Sequence, residues 1–138
     1  ETIARTLVRN RKELTTTRML TRVIKFSLLP LGRSDKEITQ ATRRVYQALR
    51  IAVNGELSAL ETFLAALPRC LKPGGRAVIL TFHSGEDNRV VRSFEAGKAA
   101  GLYAMVANTE IRGSSEERYS NPRSRSVRLR WAIRGSST

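Results

Sequence analysis

His83 and Ser84 are the residues of this 138-residue chain whose types and position best suit chemistry. They follow the run AVILTF (residues 77–82), whose lack of polar alternation predicts a strand covered on both faces in a parallel sheet. Because ligands of open α/β sheets bind beyond the carboxyl ends of the strands, both side chains are candidate catalytic groups. A Ser-His nucleophile is a weak alternative, since the G-x-S-x-G pattern is absent and neighbouring side chains at a strand end point in different directions.

Ser84 also has a structural interpretation. Ser84 and Asp87 have the spacing of a capping box for a helix that continues through residues 90–94 and breaks near residues 97–101. A serine in this position is more often a helix cap than a nucleophile. Both interpretations stay open at the level of the sequence.

Composition excludes several kinds of site. His83 is the only histidine and Cys70 the only cysteine, so neither a multi-histidine metal site nor a thiolate zinc cluster nor an internal disulfide can form. Cys70 follows an apolar helical pattern and is predicted to be a small buried hydrophobe. The longest apolar run is too short to span a bilayer, so no membrane partner is expected.

The charge of the chain points to a polyanionic partner. Lys and Arg number 25 against 12 Asp and Glu, which gives +13, and 20 of the cations are Arg. Residues 1–50 carry +8, residues 51–110 carry 0 and residues 111–138 carry +5, so two basic ends flank a neutral middle. Because the planar guanidinium suits phosphates and base edges, nucleic acid is the favoured partner, and a merely solvated basic face is the alternative.

Helical periodicity organises the first half of the chain. One short helix is predicted over about residues 3–13, and a second begins at hydroxyl caps within residues 15–17 and ends at Pro30 and Gly32. Residues 31–38 are predicted as a polar loop. Apolar residues at steps of three and four then predict one long amphipathic helix over about residues 40–71, before the turn at residues 73–75.

Two further strands are predicted over residues 103–109 and 126–133, with a polar surface loop over residues 112–126 between them. Apolar and basic residues alternate in the second, which predicts a half-buried edge strand. Its core face would carry Val127, Leu129, Trp131 and Ile133, and its basic face Arg128, Arg130, Ala132 and Arg134. Helix, turn, buried strand and helix together are half of a doubly wound α/β unit.

Several segments carry a family resemblance. LKPGGRAVIL resembles the segment that leads into the fifth strand of class I S-adenosylmethionine methyltransferases. ATRRVYQALRIAVNGEL, FHSGEDNRVVRSF and NPRSRSVRLRWAIR resemble, in the same order, signatures of the ribosomal RNA cytosine-N(4) methyltransferases known as RsmH or MraW, which include a mitochondrial branch. IARTLVRNRKEL and TTTRML resemble the helical domain inserted in that family, so the resemblance covers nearly the whole chain.

The resemblance implies an α/β chain that forms the C-terminal half of a Rossmann-like class I methyltransferase fold over residues 39–138, with residues 1–38 as the remainder of the inserted helical domain. It implies transfer of a methyl group from S-adenosylmethionine to the exocyclic amine of a cytidine in small-subunit ribosomal RNA. The family's Gly-rich cofactor turn lies upstream of the region that matches this chain, so no cofactor-binding residue is assigned here. No metal is implied.

The resemblance also places candidate site residues. His83, Ser84 and Asn54 are the candidates near the reaction cleft, although Arg50 and Asn54 lie one helical turn apart and could simply tie helix to loop. The predicted RNA-binding residues are Arg43, Arg44, Gln47, Arg50, Arg123, Arg125, Arg128 and Arg130.

Three positions depart from the family pattern. Thr39 and Gln40 stand where the family has His-Pro, and Gly85 stands where it usually has Leu. These departures motivate an alternative function, a non-catalytic ribosome-associated or assembly factor that binds RNA. The expected partners are small-subunit ribosomal RNA or an assembly intermediate, with ribosomal proteins or assembly factors, and the mitochondrial matrix or another organelle is favoured over a bacterial cytoplasm. Because the chain begins without an initiator Met, a fragment or processed product is expected.

Overall fold

A computed structural model describes residues 2–136, so the terminal residues of both predicted domains lie outside the described part. The chain divides into two compact units between Asn54 and Gly55. The boundary between these two units differs from the domain boundary that was predicted after residue 38. The assignment of residues 39–138 to a methyltransferase domain therefore stays a prediction.

The first unit contains three helices, α1 (Thr2–Arg9), α2 (Thr17–Leu28) and α3 (Asp35–Asn54), with a 3-10 turn at Leu29–Leu31. Thr16 caps α2 by accepting a hydrogen bond from the Met19 amide at 3.2 Å, which confirms the predicted hydroxyl cap. The core of this unit consists of Ile24, Leu28 and Ile38. The predicted loop over residues 31–38 is wrong in its second half, because α3 begins at Asp35.

The single long helix predicted over residues 40–71 is also wrong. The structure has α3, which ends at Asn54, and a separate helix α4 (Glu56–Cys70). Gly55 separates them in the left-handed conformation, with φ at +61°. Glycine adopts this conformation without the steric penalty of a Cβ, and the apolar periodicity on either side of it gave no sign of the break. Cys70, predicted to be buried, is exposed at the end of α4.

The second unit continues with β1 (Arg76–Thr81), α5 (Ser84–Ala99), β2 (Tyr103–Val106), α6 (Ser115–Ser120), a 3-10 turn at Pro122–Ser126 and β3 (Arg128–Arg134). Part of the predicted polar loop over residues 112–126 is therefore helical. One core joins α4, α5 and the sheet: Leu64, Leu67, Ala77, Val90, Phe94, Tyr103, Val106 and Ala132. The mixed α/β class is confirmed by this arrangement.

The sheet has the order β1-β3-β2, and β3 pairs antiparallel with both neighbours. Two predictions are corrected by this topology: β1 does not lie in a parallel sheet among the described residues, and β3 is central rather than at an edge. Nor is β1 covered on both faces. Its residues Val78 and Leu80 are 60% and 54% exposed, because α5 packs on one face of the sheet only.

The two faces of β3 are the reverse of the prediction. Ala132 and Arg130, on the predicted basic face, are 0% and 8% exposed on the face that α5 covers. Leu129 and Trp131, on the predicted core face, are only half-buried and line an open apolar groove with Val78. The reason is electrostatic, since a carboxylate of α5 neutralises Arg130 and so permits its burial.

Candidate functional site

His83 forms the N-cap of α5, directly beyond the carboxyl end of β1. Its Nδ1 accepts a hydrogen bond from the Glu86 amide at 3.2 Å. In return, Glu86 Oε2 accepts bonds from the backbone amides of His83 at 3.2 Å and Phe82 at 2.8 Å. This is a capping box with histidine in place of the usual hydroxyl residue. The predicted cap at Ser84 is therefore wrong by one position, and Ser84 is the exposed first residue of the helix.

The capping bond engages one nitrogen of the imidazole. A ring nitrogen accepts a hydrogen bond through its lone pair, so the Nδ1 lone pair is used by the bond from the Glu86 amide. Nε2 is shielded from solvent, lies 3.3 Å from Glu86 Oε1, and has no hydrogen-bond partner among residues 2–136. The lone pair that a general base would need is thus occupied by the helix cap.

Gly85, which departs from the family pattern, lies against this imidazole. A Cβ at Gly85 would be 3.1 Å from His83 Nδ1 and 3.2 Å from Cε1. These distances are tighter than ordinary van der Waals contact, so a larger residue would require the ring to shift. The departure is therefore compatible with the capped position of the imidazole seen here.

A buried ion network lies one helical turn beyond the cap. Arg130 donates from Nε and Nη2 to the two carboxylate oxygens of Asp87, both at 2.9 Å, and Arg128 Nη1 donates to Oδ2 at 3.1 Å. The Thr81 hydroxyl lies 3.4 Å from Asp87 Oδ1, and Arg130 also reaches Glu110 Oε2 at 3.3 Å. The network joins the end of β1, the start of α5 and β3. It holds the strand-to-helix turn that carries His83 and Ser84.

The network also sets the ionisation of its central carboxyl. Hydrogen bonds from Arg130 lower the pKa of Asp87 below its ordinary value of 3.8, and they outweigh the opposing effect of burial. The same bonds raise the pKa of Arg130. Asp87 is therefore a buried anion at neutral pH.

This network removes Arg130 from the predicted RNA-binding set. The Arg130 side chain is 9% exposed and bonded to Asp87, so RNA could reach it only by breaking the buried pair. Arg128 is 29% exposed and shares the same carboxylate. Arg123 and Arg125 instead lie exposed in the 3-10 turn before β3. The alternating sequence of β3 gave no indication of this difference.

The other predicted residues lie in the first unit. Arg43, Arg44, Gln47, Arg50 and Asn54 are all exposed on α3. They share one helix, whereas His83 and Ser84 lie in the second unit. Each set is therefore placed within its own unit, and the roles predicted for both sets stay predictions.

Two features were missed at the sequence level. Asp87 was interpreted only as part of a capping box, although its charge pairs with residues 41 and 43 positions further along the chain. Tyr119 received no role, yet it is 85% exposed on α6. An acidic residue in the first turn of a helix was a signal for the first, and an aromatic residue within an Arg-rich segment was a signal for the second.

Other kinds of site receive no support within residues 2–136. That part of the chain has no group of three or more His, Cys, Asp or Glu side chains able to hold a metal ion. None of its helices combines the length and apolar character needed to cross a bilayer.

The α/β unit, with a polar turn beyond β1 and an exposed Arg-rich segment before β3, is that of a partial class I methyltransferase domain. The chain belongs to the MraW methylase family, whose family model matches residues 1–134. It is 44% identical over 129 residues to ribosomal RNA small subunit methyltransferase H 1 of Agathobacter rectalis, covering 92% of this chain and 37% of that protein. The family predicted from the sequence motifs is thus confirmed.

Two further relatives agree. Ribosomal RNA small subunit methyltransferase H of Koribacter versatilis is 42% identical over 132 residues, covering 96% of this chain and 42% of the relative. The protein of the same name from Crocosphaera subtropica is 46% identical over 132 residues, covering 96% and 40%. The chain therefore spans about two fifths of the length of these curated relatives. All three are bacterial, and none supports the organelle that the sequence analysis favoured.

Proposed function

We propose that this chain is the C-terminal portion of an S-adenosylmethionine-dependent enzyme that methylates the exocyclic amine of a cytidine in small-subunit ribosomal RNA. The observation that carries the proposal is the family match over residues 1–134, together with relatives whose names specify methylation of small-subunit ribosomal RNA. No finding favours the alternative of a non-catalytic ribosome-associated factor.

The open apolar face of the sheet supports the view that this chain is one portion of a larger domain. Val78, Leu80 and Phe82 are each more than half exposed on or beside β1. Sheets of α/β domains usually have both faces covered by helices. A further layer from the rest of the enzyme would cover this face.

The methyl donor requires residues other than those described here. Gly74 and Gly75 are committed to pairing with β3: the Gly74 amide donates to Arg134 O at 3.0 Å, and Gly75 O accepts from the Arg134 amide at 2.8 Å. A Cβ at Gly75 would also clash with Lys72 O at 2.7 Å. The backbone groups of Gly74 and Gly75 are therefore used in pairing with β3, and the bend at these two residues does not fit a nucleotide or sulfonium ligand. When bound elsewhere in the enzyme, the cofactor supplies the methyl group.

The contribution of this chain is to bind and orient the RNA. The exocyclic amine of cytosine is a poor nucleophile because its lone pair is delocalised into the ring, so the base must be extruded and held in line with the methyl donor. The exposed residues Arg43, Arg44, Gln47 and Arg50 on α3, with Arg123 and Arg125, are proposed to hold the RNA. Ser84 and Asn54 are proposed as polar groups near the target base, and His83 as the cap that fixes the position of Ser84.

The test is a methyl-transfer assay with the full-length gene product. The protein is incubated with isotopically labelled S-adenosylmethionine and either small-subunit particles, isolated small-subunit RNA or, as a control, large-subunit RNA. Label in the small-subunit RNA, and none in large-subunit RNA, is the expected result. Absence of label together with undetectable cofactor binding would overturn the proposal and leave the non-catalytic alternative. We further propose that the partners are small-subunit assembly intermediates, with their ribosomal proteins or assembly factors, in a bacterial cytoplasm.

A further inference from the structure

Tyr119 is exposed in a way that folding does not explain. Its relative exposure of 85% is the highest among the exposed large hydrophobic residues in the described part of the chain. Its ring makes no aromatic or cation-π contact among residues 2–136. An aromatic side chain stabilises a fold by burying its surface, so this ring contributes little to the core.

The helical turn that carries Tyr119 is nevertheless held firmly. The N-cap Ser114 accepts a bond from the Glu117 amide at 3.1 Å. The buried Ser124 hydroxyl donates to Asn121 O at 2.8 Å, and Arg125 Nε donates to Arg118 O at 3.0 Å. These bonds tie α6 to the following 3-10 turn. These hydrogen bonds therefore hold in place the backbone of α6, which carries the exposed ring.

Three arginines lie close to Tyr119 in the sequence, and one of them, Arg125, is hydrogen-bonded to the helix that carries the ring. Arg118 precedes Tyr119, and Arg123 and Arg125 follow in the turn bonded to α6; all three are exposed. The segment also contains two carboxylates. Glu116 and Glu117 are both exposed, and Glu117 Oε2 lies beside Gly113, where an added Cβ would be 2.8 Å from it. Residues 111–126 retain a net charge of +2.

We infer that Tyr119, with Arg123 and Arg125, forms a binding subsite for an unpaired nucleotide of RNA, whose base stacks on the tyrosine ring while the guanidinium groups contact the adjacent phosphates. An exposed aromatic ring beside guanidinium groups is the combination that binds single strands, because every base presents a π face. Bases in a duplex are already stacked and cannot cover the ring. The inference rests on the proposed function and specifies its RNA as single-stranded at this surface.

The experiment measures RNA affinity without a methyl donor, so a failure of catalysis does not affect it. The full-length protein is titrated into a short uridine-rich RNA that contains 2-aminopurine and, separately, into a perfectly paired RNA hairpin. Tyr119→Ala is expected to weaken binding of the single strand roughly 10-fold, as for loss of one stacked base, and to leave the hairpin affinity unchanged. Tyr119→Phe keeps the aromatic ring and should bind the single strand with the affinity of the wild-type protein.

The matched control is Phe63→Ala, which removes another exposed aromatic ring, 51% exposed on α4. It should leave both affinities unchanged. Arg123→Gln should reduce the salt dependence of binding by roughly one unit of slope, whereas Tyr119→Ala should leave that slope intact. Equal effects of Tyr119→Ala and Phe63→Ala, or an equal loss on single strand and hairpin, would overturn the inference.

Discussion

Asp87 and Arg130 form a bidentate ion pair between the first turn of α5 and the central strand β3, with both N to O distances at 2.9 Å. Their side chains are 4% and 9% exposed. The pair fixes α5, which begins at Ser84, against the middle of the sheet. It is also the reason that a predicted basic face is buried.

Removal of the carboxylate should strongly destabilise the protein. Asp87→Ala leaves the buried Arg130 with only its longer contact to Glu110, at 3.3 Å, and removal of one partner costs about 3–5 kcal/mol in comparable buried pairs. The free energy of unfolding, measured by urea denaturation, gives the value. Glu61→Ala is the control, since it breaks the more exposed pair with Arg89, whose N to O distance is 2.6 Å. That loss should be at most about 1 kcal/mol. Equal losses in the two variants would contradict the structural role of the Asp87 network.

The stabilisation that Asp87 provides should depend on pH with a defined sign. Its pKa in the folded protein is lower than the ordinary value of 3.8, chiefly because of the hydrogen bonds from Arg130. The stabilisation is therefore present above pH 3.8 and is lost as the pH falls below it towards the folded-state pKa. The difference in unfolding free energy between the unchanged protein and Asp87→Asn should shrink over that range.

Urea titrations at constant ionic strength across the acidic range measure this difference. Hydrogen bonding to Arg112 also lowers the pKa of Glu110, but Glu110 is present in both proteins, so most of its effect cancels. A difference that stays constant with pH would mean that Asp87 titrates alike in the folded and unfolded protein.

Gly97 should not tolerate a methyl group, although it lies within a helix. A Cβ at Gly97 would be 2.6 Å from Cδ2 and 2.7 Å from Cε2 of Tyr103, which is itself packed edge-on against Phe94 at 5.4 Å. Alanine gains about 1 kcal/mol in helix propensity, but overpacking a buried site costs about 1–3 kcal/mol. We expect Gly97→Ala to lower the midpoint of thermal unfolding.

A double-mutant cycle separates the two effects. In a Tyr103→Leu background, the added methyl group should cost less than in the unchanged protein, because the ring that it meets is gone. If Gly97→Ala lowered the stability equally in both backgrounds, the contact with the Tyr103 ring would not be the cause of the loss.

His83 should be replaceable by a residue that caps a helix equally well. His83→Asn keeps a side-chain acceptor and should retain the free energy of unfolding, whereas His83→Ala should lose about 1 kcal/mol. In the full-length protein, His83→Asn should retain methyl transfer, because the imidazole acts through the helix start. A stable His83→Asn protein that has lost transfer would show that the imidazole itself takes part in the reaction.

Local sequence patterns predicted α2 and its cap, the strand that ends before His83 and the mixed α/β class. They failed where one residue or a distant partner decides the outcome. Gly55 breaks the expected long helix through its positive φ, which periodicity does not detect. The faces of β3 were reversed because polarity alone assigned Arg130 to solvent, whereas Asp87, 43 positions away, neutralises it.

The strand-to-helix turn that carries His83 and Ser84 was predicted in its place, whereas the functional roles of these residues stay predictions. A polar pair after an apolar strand pattern correctly located the turn at His83 and Ser84. The preference of helix caps for hydroxyl residues favoured Ser84, while the decisive signal was a glutamate three residues after His83. The sequence did not show that Arg128 and Arg130 both donate to the carboxylate of Asp87, because Asp87 is distant from both of them along the chain.

We propose that this chain holds the RNA-binding portion of a cytosine amine methyltransferase. Mass spectrometry of nucleosides from small-subunit RNA, after incubation with the full-length protein and deuterated methyl donor, tests it most directly. The expected product is N4-methylcytidine with the intact deuterated methyl group. A label found only on carbon 5 of cytosine, or on no cytidine, would contradict the account.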